Sequence, residues 1–351
     1  MTTGYVPRTE FCGCDTSWAN AGKRPANANH GQVGYNEATT QLEIYDAIAG
    51  AWRTVASNLV GTAWFANSAT GADTNVGTSA ATAFKTITAA VAAATAGDTI
   101  YITGSFTEAV TVTKIGLSII GAGTGPHQAT WTAAADAVCL TLNASDCQVA
   151  NIRFRPPAYS SGAPAAIVLN NAPYARIVGN RFQGQTGSNF AIFCMLGAAY
   201  SSDDVLIAGN EFIYLNNITT VYGSAIESTA ADGGYSCSSW QIVNNIFDAP
   251  VEGVNINGRG CLIAGNIFRD KGLLAAGTMG TVTGSAGSKL MIDLSGTNAD
   301  CNCVVGNWLG GAYSSTLYLK GGSNDEWYGN FTVSTTATLT NGAGMTLTPT
   351  T

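Results

Sequence analysis

The chain has 351 residues, of which 46% are hydrophobic and 11% are charged, and its formal net charge is −7. This hydrophobic content excludes general disorder, and the acidic balance without any Lys/Arg run argues against nucleic-acid binding. No apolar stretch reaches the roughly 18 residues of a membrane span. The 42 glycines, with many Thr, Ser, Ala and Asn, are typical of a turn-rich all-β protein.

Residues 1–30 are polar and contain Pro7 and Pro25, which indicates an extended N-terminal arm. The chain opens with neither the basic nor the apolar region of a signal peptide, so the sequence does not predict classical secretion.

Residues 31–60 predict a small β-meander and a linker. Three short alternating segments, 32–35, 42–46 and 51–55, are separated by turn-like residues. So short a module buries too little apolar surface to be stable alone, so we expect it to rest on another surface.

Residues 84–96 have helical periodicity, because Phe84, Ile87, Val91 and Ala94 fall on one stripe. After this segment the pattern changes to repeated short strands with Gly-Asn turns. Near-identical hexapeptides recur, among them I-V-G-N-R-F at 177–182, I-A-G-N-E-F at 207–212 and I-A-G-N-I-F at 263–268.

The motif asparagines mark repeats of uneven length. Their intervals are 29, 30, 35, 21, 41 and 23 residues, and the marked residues are Asn151, Asn180, Asn210, Asn245, Asn266, Asn307 and Asn330. Repeats of this kind bury their apolar faces only against their neighbours. Strand–turn–strand units stacked about 4.8 Å apart make residues 61–334 a right-handed parallel β-helix, with the 84–96 helix as its amino-terminal cap. Residues 335–351 form a Thr-rich strand or tail.

Stacked coils place each motif asparagine above the last, where side-chain amides can form a ladder. The phenylalanines that follow are expected to stack in the interior: Phe182, Phe212, Phe247 and Phe268. The other corners of each coil are free to carry loops of any length, which explains the uneven intervals.

No metal or cofactor is predicted. The number of cysteines is odd, nine, and most lie in apolar strand-like runs, which favours small buried hydrophobes over disulfides. Cys301 and Cys303, like Cys12 and Cys14, have C-x-C spacing, and only two histidines exist to complete a zinc site.

Catalytic candidates are few. A glycosidase needs two carboxylates about 5–9 Å apart, and the available acids are Glu227, Asp232, Asp248 and Glu252. Glu227 and Glu252 are 25 residues apart, about one coil, but lie at +17 and +7 from their preceding motif asparagines. They need not share a face, and the competing interpretation is that they are solvated or interchain polar residues. The sequence therefore predicts no catalytic pair.

The stretch from Trp64 to Val110 resembles the start of pectate-lyase-like parallel β-helix proteins. Gly71-x-Asp73, Phe84-x-Thr86-Ile87 and Gly97-Asp98-Thr99-Ile100 carry the resemblance. It implies the fold over roughly Trp64 to Phe331. It says little about function, since this superfamily contains polysaccharide lyases, glycoside hydrolases, adhesins and bacteriophage tailspikes.

A second resemblance covers Gly31 to Trp52. This stretch is similar to a small meander of tailed-phage virion proteins, and the matching residues are Tyr35, Asn36, Leu42, Glu43, Tyr45 and Trp52. The resemblance implies an anchoring role on the virion.

Together these features favour a non-enzymatic phage virion protein. We expect a homotrimer made in the host cytoplasm and mounted through residues 1–60 on a capsid or tail protein, with capsid decoration or a head fibre ahead of a tail fibre. The alternative is a tailspike that binds or cleaves a host-surface polysaccharide. A cell-surface adhesin is disfavoured by the missing signal peptide.

Overall fold

The structure is a computed structural model that describes residues 33–36, 41–46, 51–54, 61–123, 129–134, 137–155, 165–183, 190–194, 202–213, 224–228, 237–248, 252–269, 292–294, 299–310, 318–320 and 324–333. It divides into two compact units, Met1–Thr62 and Ala63–Thr351. The arm predicted at 1–30 and the tail predicted at 335–351 lie outside the described residues.

In the first unit, three strands form one antiparallel sheet in the order β1 (Val33–Asn36), β2 (Gln41–Asp46) and β3 (Ala51–Thr54). Tyr35 is opposite Leu42, and Tyr45 is opposite Trp52. The strands thus follow the meander that alternation predicts, with Glu43 inside the central strand. Their attachment role stays a prediction.

In the second unit, three long sheets run side by side along one axis. Sheet 1 consists of β4 (Ala63–Asn67), β5 (Thr99–Thr103), β8 (Ser118–Gly121), β11 (Gln148–Ala150), β14 (Arg176–Val178), β17 (Leu206–Ala208), β20 (Gln241–Val243), β23 (Leu262–Ala264), β26 (Cys303–Val305) and β29 (Glu326–Tyr328).

Sheet 2 consists of β6 (Ser105–Thr107), β9 (Ala129–Thr132), β12 (Ile152–Arg155), β15 (Arg181–Gln183), β18 (Glu211–Ile213), β21 (Ile246–Asp248), β24 (Ile267–Arg269), β27 (Trp308–Gly310) and β30 (Phe331–Val333). Sheet 3 consists of β7 (Val110–Val112), β10 (Leu140–Leu142), β13 (Ala165–Leu169), β16 (Phe190–Cys194), β19 (Ser224–Ser228), β22 (Glu252–Ile256), β25 (Ile292–Leu294) and β28 (Tyr318–Lys320).

Each coil visits sheets 1, 2 and 3 in turn, and from β5 onward each strand pairs in parallel with the strand three places later. This topology confirms the predicted right-handed parallel β-helix. Side chains alternate along every strand between the interior and the outside. Ile226, for example, is fully buried while its neighbour Glu227 is only partly buried.

Aromatic rings stack along the interior of sheet 2. The stack runs through Trp131, Phe154, Phe182, Phe212, Phe247 and Phe268, and neighbouring ring centroids lie 5.6, 5.2, 4.9, 4.8 and 4.5 Å apart. All six side chains are fully buried. The spacing follows the strand separation, because each ring sits on the equivalent residue of the next coil.

The capping helix is shorter than predicted. It spans α1 (Ile87–Ala93), whereas the periodic stripe runs from Phe84 to Ala96. Thr86 ends the extended chain and caps the helix, since its hydroxyl accepts from the Ala89 N–H at 3.1 Å. Phe84 instead forms a bridge with Ala66 of β4, and a turn of 3-10 helix precedes it at Ala80–Thr82.

Both ends of α1 are held by charged side chains of the first coils. The Glu108 carboxylate accepts from the Ile87 N–H at 2.9 Å, and the Lys114 ammonium donates to the carbonyls of Val91 and Ala94, each at 2.5 Å. These charges oppose the partial charges of the helix ends. Since α1 contacts β4, β5 and β7, it covers the amino-terminal end of the coils.

Four of the described cysteines, Cys139, Cys147, Cys237 and Cys261, are buried and not disulfide-bonded, as the sequence pattern predicts. Burial raises the pKa of the Cys139 thiol to about 12, so it stays protonated. Within the described ranges, no helix has the length and apolar character needed to cross a membrane.

Candidate functional site

The corner between sheets 1 and 2 carries a column of buried asparagines. The side-chain Nδ2 of each asparagine donates to the Oδ1 of the asparagine in the next coil. The column runs through Asn180, Asn210, Asn245, Asn266, Asn307 and Asn330, and the five successive N–O distances are 3.2, 3.0, 3.0, 2.9 and 2.9 Å. The column joins six consecutive coils through side chains.

Each amide of the column also bonds to the backbone. Asn245 Nδ2 donates to the Ile207 carbonyl at 2.9 Å, and its Oδ1 accepts from the Asn210 N–H at 2.9 Å. Both donor hydrogens and both acceptor sites of the amide are therefore used, so burial of this polar group leaves no hydrogen-bonding capacity unsatisfied.

Asn151 does not belong to this column, contrary to the prediction. It aligns with Gly179 and has a left-handed backbone with φ of 57°. Ile152 holds the ladder position, and its N–H donates to Asn180 Oδ1 at 3.0 Å. The reason is spacing: Phe154 follows Asn151 by three residues, whereas each column member from Asn180 to Asn307 precedes its interior apolar residue by two.

A shorter ladder at the corner between sheets 3 and 1 was not predicted. Asn302 Nδ2 donates to Asp325 Oδ1 at 3.1 Å, and Asn302 Oδ1 accepts from the Cys261 N–H at 2.9 Å. Its sequence signal is weak, because the equivalent positions of other coils hold apolar residues such as Trp240.

A polar column lies on the outer face of sheet 3, where Glu227 is in register with Asn255, and Asn255 with Asp293. All three side chains are partly buried. Two strand steps of about 4.8 Å place Glu227 and Asp293 about 9.6 Å apart along the sheet.

The Glu227 carboxyl group is held in a partly dehydrated position. Burial is the main reason that its pKa is raised above the ordinary 4.5, and the negative charge of Asp293 raises it further. A hydrogen bond from Ser224 Oγ to Glu227 Oε2, 3.0 Å long, opposes this effect. Glu227 therefore retains its proton to a higher pH than an exposed glutamate does.

The other predicted acids do not join Glu227. Glu252 pairs with Ser224, so Asn255 rather than Glu252 lies beside Glu227. Asp248 is buried in sheet 2, in register with Ile213. Asp232 lies outside the described residues.

Asp293 was missed in the sequence because insertions separate the coils. Glu227 lies 17 residues after Asn210, but Asp293 lies 27 after Asn266, so no constant offset reveals their alignment. The sequence signal that could have indicated Asp293 is local: a polar residue lies between two apolar residues that point inward, as in Ile292-Asp293-Leu294.

In the described part of the chain, no three His, Cys, Asp or Glu side chains are grouped so that they could hold a metal ion. Cys303 instead contacts the Tyr328 hydroxyl, with 3.7 Å between sulfur and oxygen. Cys12 and Cys14 lie outside the described residues.

No protein-family model matches this sequence, and no curated protein matches it. Solved structures with a similar fold include a rhamnogalacturonan lyase, with 12% identity, a TM-score of 0.44 and coverage of 75% of this chain and 62% of that one. The Dettilon tailspike protein has 16% identity and a TM-score of 0.41, with coverage of 69% and 56%. An alginate lyase from Paenibacillus has 13% identity and a TM-score of 0.40, with coverage of 70% and 94%.

The chain thus spans about three fifths of the first two of these structures. At such identities the likeness is one of fold alone.

Proposed function

We propose that this protein displays its β-helix, a rigid rod, on the surface of a tailed-phage particle, and that the meander unit is its attachment point. The meander's resemblance to small modules of phage virion proteins carries this proposal. A separate unit of three short strands suits attachment, because such a module gains stability from the surface that it binds.

Capsid decoration or a head fibre is the proposed mounting, and a homotrimer is the proposed assembly. Side-by-side association with cyclic symmetry closes the contacts between rods without open polymerisation. The asparagine column and the ring stack support a stiff rod, since they link coils that are distant in sequence.

Immunogold electron microscopy of purified particles tests the display role. Antibodies against the β-helix should label the head if the protein is a capsid decoration, and the tail if it is a tail fibre. A mass-spectrometric search that finds none of the chain in purified particles would contradict both mountings.

A second function, cleavage of a host-surface polysaccharide, is favoured by one observation: Glu227 has a raised pKa and shares an outer column with Asp293. Two carboxyl groups about 6.5–9.5 Å apart are typical of inverting glycosidases, and two strand steps, about 9.6 Å, come within about 0.1 Å of the upper limit of that range.

The reaction follows from these positions. Glu227, protonated, gives its proton to the glycosidic oxygen as the bond from that oxygen to the anomeric carbon breaks. A water molecule attacks the anomeric carbon from the opposite face, and Asp293 takes the proton that this water releases. Asn255, between them, can donate a hydrogen bond to a sugar hydroxyl.

Reducing-end release from extracted host-surface polysaccharide tests this second function. Glu227→Gln and Asp293→Asn should each lower the rate by about 10²-fold or more, because each removes one proton-transfer group. The matched control is Glu326→Gln, an exposed acid on sheet 1, which should leave the rate unchanged. No release by the parent chain would contradict cleavage and leave the display role standing.

A further inference from the structure

Two apolar columns flank the corner between sheets 1 and 2 over the last four described coils. On the outer face of sheet 1, the in-register residues are Val243, Ala264, Val305 and Tyr328. On the outer face of sheet 2, they are Ile246, Ile267, Trp308 and Phe331. We call these eight residues the apolar ridge.

The ridge is open to solvent at its aromatic end. Trp308 is 49% exposed, Tyr328 55% and Phe331 68%. The three side chains lie on two adjacent coils, so they form one patch rather than scattered exposures. Contiguous exposed apolar surface of this kind marks interaction sites.

Apolar side chains are not a general property of the outward positions on sheet 2. In earlier coils of the same sheet 2 column the residues are Arg153, Arg181 and Glu211, and Arg181 Nε lies 3.5 Å from Glu211 Oε2. On sheet 3, the outer column of the ridge coils includes the polar residues Asn255 and Asp293. On sheet 2, the change from charged to apolar residues therefore begins at the ridge, between Glu211 and Ile246.

The corner itself is short in every coil of the ridge. Two residues connect each sheet 1 strand to its sheet 2 strand, for example Gly265 and Asn266, whereas residues 270–291 connect β24 to β25 at the next corner. Asn266 points inward, and Gly265 has no side chain. In the ridge coils, Asn244 is the one described corner residue with an exposed side chain, because the other outward corner residues are glycines.

We propose that the apolar ridge is the surface through which copies of this chain associate side by side, with their rod axes parallel. The inference rests on the self-association proposed above, but on neither the display role nor polysaccharide cleavage. A second copy is the occupant that matches the ridge best, because a parallel rod has the same rung spacing along its whole length. The ridge carries no charge, so like surfaces meet without repulsion.

The apolar surface on sheet 1 is longer than the ridge. The sheet 1 column continues toward the amino terminus through further apolar residues: Ala208, Val178, Ala150, Ile120, Tyr101 and Phe65. Nine steps of about 4.8 Å make this column about 43 Å long. A second rod with a parallel axis can follow the column over this length, with the sheet 2 residues of the ridge adding contacts in the last four coils.

Sedimentation velocity of the full chain at micromolar concentration tests the proposal. The parent should sediment as an oligomer, and the double variant Ile267→Glu with Trp308→Glu should associate at least about tenfold more weakly. Ile115→Glu is the matched control, because Ile115 is 58% exposed and lies outside the ridge. A monomeric parent would contradict both self-association and the ridge, whereas an oligomeric double variant would contradict the ridge alone.

A second measurement covers the case in which the double variant does not fold. The photo-cross-linker p-benzoylphenylalanine, placed at position 331 of the otherwise unchanged chain, should link two copies on irradiation, and the same group at position 115 should not. Peptide mapping should find the cross-link on the ridge of the second copy. Cross-links only within one chain, for instance to residues 334–351, would overturn the proposal.

Discussion

Asn210 Nδ2 donates to Asn245 Oδ1 at 3.0 Å, across 35 residues of sequence. The bond joins two consecutive coils at the corner between sheets 1 and 2, which is two residues long from β14 onward. Because an amide both donates and accepts, the same residue type can continue the contact in both directions along the rod. This requirement explains why the hexapeptide recurs while the intervals vary.

Replacing Asn245 by Asp should destabilise the rod by about 3–5 kcal/mol, since the carboxylate cannot donate to the Ile207 carbonyl or to Asn266 and its charge is buried. Thermal unfolding followed by circular dichroism measures the change. Asn244→Asp is the matched control, because Asn244 is the adjacent, exposed residue. Equal effects at both positions would contradict the role of the column.

Replacing Phe247 by Ala should cost about 3–5 kcal/mol, because it leaves a cavity between the rings of Phe212 and Phe268. The exposed aromatic Tyr174 is the control, and Tyr174→Ala should change the melting temperature little. Unchanged stability of the Phe247 variant would mean that the ring stack contributes nothing to the free energy of unfolding.

The raised pKa of Glu227 makes stability depend on pH. In the window from about 4.5 up to the folded-state pKa, the folded protein binds more protons at this site than the unfolded chain does, so stability falls as pH rises. Glu227→Gln should remove this fall and should therefore stabilise the protein at pH 7 relative to the parent. Denaturant unfolding at pH 4.5 and pH 7 provides the comparison.

The control for this pH effect is Glu326→Gln, at an exposed position of β29. It should leave the pH dependence of the parent intact. A Glu227→Gln variant that is less stable than the parent at pH 7 would show that the carboxylate is favourably paired in the folded state.

Replacing Lys114 by Met should loosen the carboxyl-terminal end of α1, because the ammonium group is the donor to the Val91 and Ala94 carbonyls. Hydrogen exchange of the amides in Ile87–Ala93 should speed up by about tenfold or more, since losing a charged hydrogen bond costs about 1.5–3 kcal/mol. Lys85→Met serves as the control, because Lys85 precedes the helix. Equal exchange in both variants would mean that Lys114 does not hold the helix end.

The sequence predicts the regular corner well, since a buried amide column and a ring stack need the same residues in each coil. Asn151 shows the limit of that reasoning: it looks like a motif residue, but the distance to Phe154 puts it one position away from the column. The start of α1 shows a second limit of sequence reasoning. The apolar stripe begins at Phe84, but the helix begins only after its N-cap residue, Thr86.

Sheet 3 could not be predicted in the same way. Insertions on either side of its strands, such as residues 270–291, vary in length, so the spacing of residues in the sequence does not give their register in the sheet. Asp293 could therefore not be aligned with Glu227 by counting. Glu252, which lies about one coil from Glu227 in sequence, pairs with Ser224 instead. The partial burial of Glu227 depends on residues of the neighbouring coils, so it could not be predicted from the sequence of its own strand either.

The display role is tested most directly by deleting residues 1–56 and measuring incorporation into particles. Host cells that carry a phage genome lacking this gene would be supplied with the full or the shortened chain, and the protein in purified particles quantified by mass spectrometry. The shortened chain should keep the β-sheet circular dichroism spectrum of a folded β-helix and be absent from particles that contain the full chain. Incorporation of the shortened, folded chain at the level of the full chain would contradict attachment through the amino-terminal unit.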